Sequence, residues 1–272
     1  MIKKLAVSWV FFFLSFTASA NDTRAKAFST DAGLSFVAIR GFLDINAANA
    51  YLKEYSLKAF EAQPGKTFAG FEFDSYSEKS VTWHTLKGLK GGGYNVGYAG
   101  IVVQDPRNAS VPVYFINEIS TNSKLLKTLY QLQSVAINGR AFSGFASPKA
   151  LVDQHQVNLK WKGSKHTIAR LVIGASSASE LKPLNTFVPY DGNTVGLMYS
   201  NGLTKDKYLI SNNEFRGDVV ARVFDPSRDH FFVAKSTILA WIFSARYFTP
   251  YIVEMGNSLS GTGYMPQKVN VR

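Results

Sequence analysis

Thr67-Phe68-Ala69-Gly70-Phe71-Glu72-Phe73-Asp74 alternates bulky apolar residues with small or charged ones. A period of two is that of an extended strand, with Phe71 and Phe73 on one face and Glu72 and Asp74 on the other. The pattern recurs on both sides. Leu34 to Arg40 (LSFVAIR) reads as an earlier strand, and Val81 to Lys87, Tyr98 to Gln104 and Val111 to Ile116 as later ones, the last two parted by a turn at Asp105-Pro106. Further on, His155 to Lys162 and Lys165 to Gly174 flank Gly163-Ser164, and Val195 to Ser200 and Leu203 to Ser211 flank Asn201-Gly202. Both dipeptides suit two-residue hairpin turns.

Helical spacing is rarer. Asp44 caps a run in which Ile45, Ala48, Leu52, Tyr55 and Ala59 share a face, ended by Pro64-Gly65. Leu125, Leu129, Leu132 and Ala136 line a second helix, from Ser120 or Thr121 to Asn138-Gly139. Ser147-Pro148 opens a short third. Strands do not alternate regularly with helices, which argues against a doubly wound parallel sheet. The expected fold is α+β: a mainly antiparallel sheet with hairpins and two or three packed helices. One domain is expected over 21–255, with a subdomain seam near 145–147 and a flexible tail over 256–272.

Met1 to Ala20 reads as a leader. Lys3 and Lys4 precede the uncharged run Leu5 to Phe16, and Ala18-Ser19-Ala20 gives the small-x-small end that a signal peptidase needs. The run is shorter than the roughly 20 residues that span a bilayer. The reading is Sec-route export to the periplasm, outer membrane or exterior, with no transmembrane span in the mature chain. The chain has 272 residues and no cysteine, which excludes disulfides, thiolate nucleophiles, thiolate-bound zinc and N-terminal Cys lipidation. Its net charge is +11, of which the leader supplies two, and a surplus of that size favours anionic partners.

Three groups of residues are site candidates. On a two-residue turn at Gly163-Ser164, Lys162 would pair with Lys165 and Trp161 with His166. Lys160, Lys162 and Lys165 would then converge at one tip beside Trp161 and His166, where phosphates or acidic sugars could dock. Solvated lysines that protect a strand edge give the same pattern. Glu72 and Asp74 are paired carboxylates of the kind that do acid–base work when their pKa values are driven apart, although any half-buried strand alternates similarly. Ser176, in Gly174-Ala175-Ser176-Ser177-Ala178, follows an apolar strand and precedes several aspartates and His230, the order of a serine hydrolase, but the flanking glycines of the usual elbow are incomplete. Gly91-Gly92-Gly93 lacks the Lys-Ser/Thr of a phosphate loop, so no cofactor is expected, and no metal set is apparent. Phe231 to Phe248 is strongly apolar and reads as core or as a protein-docking surface.

These features predict a non-enzymatic exported module that binds an anionic or carbohydrate-bearing envelope or host surface, with no nucleic acid expected. A secreted serine or carboxylate-dependent hydrolase is the alternative, and a structural subunit of an envelope assembly a further one.

Overall fold

The structure is a computed structural model that describes residues 25–132, 141–143, 157–162, 167–187, 195–199, 207–234 and 239–270. The expected leader, the expected third helix and the seam near 145–147 lie outside them.

The strands, in chain order, are β1 (Lys26–Asp44), β2 (Lys66–Tyr76), β3 (Val81–Trp83), β4 (Leu89–Gly91), β5 (Tyr94–Asp105), β6 (Asn108–Thr121), β7 (Ala141–Ser143) and β8 (Val157–Lys162). They continue with β9 (Thr167–Ile173), β10 (Lys182–Pro183), β11 (Val195–Tyr199), β12 (Lys207–Arg216), β13 (Val219–Val223), β14 (His230–Val233), β15 (Phe248–Tyr264) and β16 (Gln267–Asn270). The helices are α1 (Ile45–Leu52), α2 (Lys124–Leu132) and α3 (Leu239–Ile242).

One sheet closes on itself. β15 pairs with β1 along most of its length, and the order β15-β12-β11-β6-β5-β2-β1 returns to the start, so seven strands form a barrel. All its pairs are antiparallel except β11 with β6. β3 and β4 extend from β1, β13 and β10 extend from the first half of β15, and β16 pairs with β12. A second sheet, in the order β14-β9-β8-β7, lies against the barrel wall.

The alternation of β2 sorts the two cores. Phe71 and Phe73 point outward into a cluster that joins the barrel wall to the second sheet, α1 and α3, where the Phe71 ring sits 5.0 Å from Phe231 and 4.5 Å from Phe243. Leu34, Phe36, Ala38, Tyr76, Tyr98 and Tyr114 belong to the other cluster, on the inner face. α1 starts where the capping argument places it: the Asp44 carboxylate accepts from the Ala47 N–H at 2.8 Å.

The expectation of an α+β fold with packed helices is corrected. Strand dominates, and the described helices are short, at eight, nine and four residues. A sheet that closes covers its own inner face, and a second sheet covers much of the outer one, so few helices are needed as a layer. The helical run from Ile45 stops early because Ser56 takes a left-handed conformation (φ 55°). The second helix begins only at Lys124, because β6 continues through Thr121 and Ser123 Oγ accepts from the Leu126 N–H.

The hairpin registers also differ. Lys162 pairs with Thr167 and Trp161 with Ala169, across a bulge, where pairing of Lys162 with Lys165 and Trp161 with His166 was expected; Gly163-Ser164 itself lies outside the described residues. Tyr199 pairs with Tyr208, and Asn201-Gly202 lies outside the described residues. Residues from Gly256 to Asn270, expected as a loose tail, lie largely in β15 and β16. Among the described residues no helix is long and apolar enough to cross a membrane.

Candidate active site in the barrel interior

Neighbouring strands carry four ionisable side chains to one place on the inner face. Glu72 of β2 lies opposite Ala38 of β1, and Ala38 lies opposite Glu254 of β15. Arg40, two residues along β1 on the same face, reaches both glutamates. Its Nη2 donates to Glu72 Oε2, and its Nε donates to Glu254 Oε2 at 3.1 Å. Asp74 follows Glu72 by two positions and shares its face. Arg40, Glu72, Asp74 and Glu254 are all fully buried.

Glycines make the room. A Cβ on Gly70 would collide with the Ile39 carbonyl and the Arg40 side chain, and one on Gly100 with the Tyr114 ring and the Phe115 carbonyl. With those positions bare, Tyr114 of β6 reaches across β5 and donates its hydroxyl proton to the Gly70 carbonyl of β2 at 2.8 Å.

One guanidinium therefore faces three carboxyls, all closed to bulk solvent. Burial disfavours the Arg40 charge, but Glu72 and Glu254 outweigh that, and its pKa lies above the ordinary value. Glu254 is pushed up to about 7, chiefly by burial, with Arg40 opposing and Glu72 adding to the rise. Asp74 is raised well above an ordinary aspartate, first by burial and then by the charge of Glu72 and hydrogen bonding to it. Among the described residues, neither oxygen of Asp74 has a hydrogen-bond partner besides Glu72, and Glu254 Oε1 has none. A buried carboxylate without donors is costly, and this favours the protonated form of Asp74. The Tyr114 hydroxyl is also raised, mainly by burial. The result is a buried carboxyl whose protonated form is favoured, beside an Arg–Glu pair, with Glu254 pushed up to about 7. A set of this kind can donate a proton or hydrogen bond to an oxygen that gains charge and take the proton back afterwards.

Of the sequence candidates, Glu72 and Asp74 are thus brought together with two residues that strand alternation alone did not select, Arg40 and Glu254. Their signal was present. Each is an isolated charge in an apolar strand, Arg40 in LSFVAIRGFL and Glu254 in YIVEMG. Ser176 and His230 are not joined. Ser176 Oγ is buried and accepts from Arg222 Nε at 2.7 Å, whereas His230 is exposed on β14. The rest of the Arg222 guanidinium is held by Asp229, at 2.5 Å and 2.7 Å, which makes Ser176 part of a structural network. Lys160 is half-buried on β8 opposite Arg170, and Trp161 and Lys162 follow it on the same strand. Lys165 and His166 lie outside the described residues, and with them the proposed tip. Within Phe231 to Phe248, Ile242, Phe243 and Phe248 are buried, while Phe232 and Trp241 are exposed. Among the described residues no group of His, Cys, Asp and Glu is arranged to hold a metal ion.

No protein-family model and no curated relative matches the chain. Solved structures do. An acetoacetate decarboxylase-like enzyme from Sphingomonas wittichii RW1 superposes with a TM-score of 0.56 at 12% identity, covering 96% of this chain and 100% of that one. Acetoacetate decarboxylase from Legionella pneumophila subsp. pneumophila str. Philadelphia 1 gives 0.58 at 11%, covering 97% and 98%. The enduracididine biosynthesis enzyme MppR, complexed with pyruvate, gives 0.53 at 9%, covering 94% and 95%. These neighbours are enzymes, and the expectation of a non-enzymatic binding module is corrected on that finding. At such identities the likeness is one of architecture: the chain has an acetoacetate decarboxylase-like fold.

Proposed function

We propose that the chain is an enzyme that makes or breaks a bond next to the carbonyl of a small oxo acid, with Asp74 as the acid. The carrying observation is the buried constellation of Arg40, Glu72, Asp74 and Glu254 on the inner face of the barrel. The fold supports the substrate class, since its neighbours include acetoacetate decarboxylases and an enzyme that holds pyruvate.

For a 3-oxo acid the electron count is simple. The bond between the carboxylate carbon and its neighbour breaks and carbon dioxide leaves. The electron pair forms an enol as the carbonyl oxygen takes the Asp74 proton. The enol then returns to a ketone by gaining a proton on carbon and giving the hydroxyl proton back to Asp74, so one proton is drawn from solvent overall. Arg40 offsets the negative charge of the incoming acid, and Glu72 fixes the guanidinium. A buried, preorganised donor of this kind acts where charge develops and needs little reorganisation. All four side chains are closed to solvent, so the substrate enters only when the barrel interior opens, and that opening is part of the catalytic cycle.

Carbonyl chemistry also runs through desolvated lysine amines. Among the lysines whose burial is described none is buried, and Lys124, where β6 gives way to α2, is exposed. We assign carbonyl activation to Asp74, the buried carboxyl beside Glu72 and Arg40. Export before folding, with a cut after Ala20, completes the proposal.

The test is a panel of small 2-oxo and 3-oxo acids, followed by carbon dioxide release and by deuterium uptake at the carbon next to the carbonyl. Turnover of at least one member is expected, reduced at least a hundredfold in Glu72→Gln. No turnover across the panel would overturn the reading. Borohydride trapping of a substrate–lysine adduct would move carbonyl activation from Asp74 to that lysine.

A further inference from the structure

A cavity of about 650 Å³ opens away from the carboxyl cluster, between the 177–180 turn, the end of β13 and the 225–228 turn. Its size is that of a small-molecule site. Val223, Phe224, Phe187 and Pro226 supply apolar walls, and Val223 is 55% exposed although it is a large aliphatic residue in a strand.

The charged groups of the wall are mostly committed. Arg228 pairs with Glu180, contacts Asp225 at 3.2 Å and donates to the Ala175 carbonyl at 2.7 Å. Arg222 is consumed by Asp229 and Ser176. Lys182 is different. Its backbone is fixed by pairing of β10 with Ala221 of β13, its side chain is exposed, and among the described residues it has no ion-pair or hydrogen-bond partner. The cavity thus offers one uncommitted cation next to an apolar wall, in a frame already held rigid by its own ion pairs. A ligand that meets such a wall loses little to reorganisation. Lys182 and Glu254 project from the same sheet face but are separated by the buried Ala221, which pairs with both, so the cavity is distinct from the interior site.

We infer that this cavity is a second binding site, for a small carboxylate that carries an aromatic or aliphatic body, with the carboxylate on Lys182 and the body against Val223, Phe187 and Phe224. The site stands independently of the oxo-acid reading.

Isothermal titration at low ionic strength with 3-phenylpropionate and its uncharged amide, 3-phenylpropionamide, tests it. The whole chain is expected to bind one equivalent of the acid at least fivefold more tightly than the amide. Lys182→Met removes that preference, with the melting temperature unchanged. Asp74→Asn retains it, which separates this cavity from the interior site. Equal affinity for acid and amide, no binding of either, a preference that survives in Lys182→Met, or its loss in Asp74→Asn would each overturn the inference. Catalytic turnover is scored apart from all four outcomes.

Discussion

Asp74 is the residue on which stability and activity oppose each other. A buried acid without a donor other than its neighbour lowers stability wherever it must ionise. Glu254, held at about 7 against an ordinary 4.5, adds a second such group. Between those two pH values the folded chain binds more protons than the unfolded chain. The stability from the raised carboxyls is therefore fully present below about pH 4.5 and is lost as pH rises through 7, with Asp74 acting in the same direction. Asp74→Asn keeps the shape and removes the titration. Its melting temperature relative to wild type is expected to rise steadily from pH 5 to pH 8, as read by calorimetry across that range. A difference independent of pH would show that Asp74 is not a buried titrating group. The Arg222–Asp229 pair supports the fold through direct contacts. Asp229 also accepts from the Gly174 and Asp225 amides, so Asp229→Ala strands a buried guanidinium and is expected to cost about 3–5 kcal/mol in urea unfolding.

Among the elements, the barrel strands owe their close approach to bare backbone at Gly70 and Gly100. Gly100→Ala pushes a methyl group into the Tyr114 ring and the Phe115 carbonyl, and overpacking of this kind costs about 1–3 kcal/mol. The same variant is expected to reduce turnover, because it displaces Tyr114, which lies over the cluster. A variant as stable and active as wild type would remove the argument. At α1, Asp44→Ala deletes one cap and is expected to cost about 1 kcal/mol without touching activity. The two elements also differ in how far the sequence revealed them. The Asp44 cap and the alternation of β2 are local, and both were legible. The hairpin registers were not, because a turn dipeptide states only a preference, while the bulge between Trp161 and Lys162 shifts the pairing that the dipeptide implied. Glu72 and Asp74 were legible as a pair, but their burial was not: on a half-open sheet that face would meet water, and only closure turns it inward.

For the whole molecule, closure depends on β15, whose residues lie 214 positions from Arg40 at the point where Glu254 meets it. No short-range pattern states that pairing. The Gly-rich stretch after Gly256 looks, taken alone, like a tail. It becomes strand because β1 supplies a partner along most of β15. Net charge describes the surface and directed attention to lysines on β8. It carries no information on an interior that holds one arginine against three carboxyls. We propose that this interior is catalytic and that the Asp74 proton does the work. The most direct measurement is the rate at which the oxo acid turned over best takes up solvent deuterium next to its carbonyl, compared in wild type and Asp74→Asn at matched folded fraction. A loss of at least a hundredfold is expected in a variant at least as stable as wild type at pH 8. Undiminished exchange in folded Asp74→Asn would contradict it.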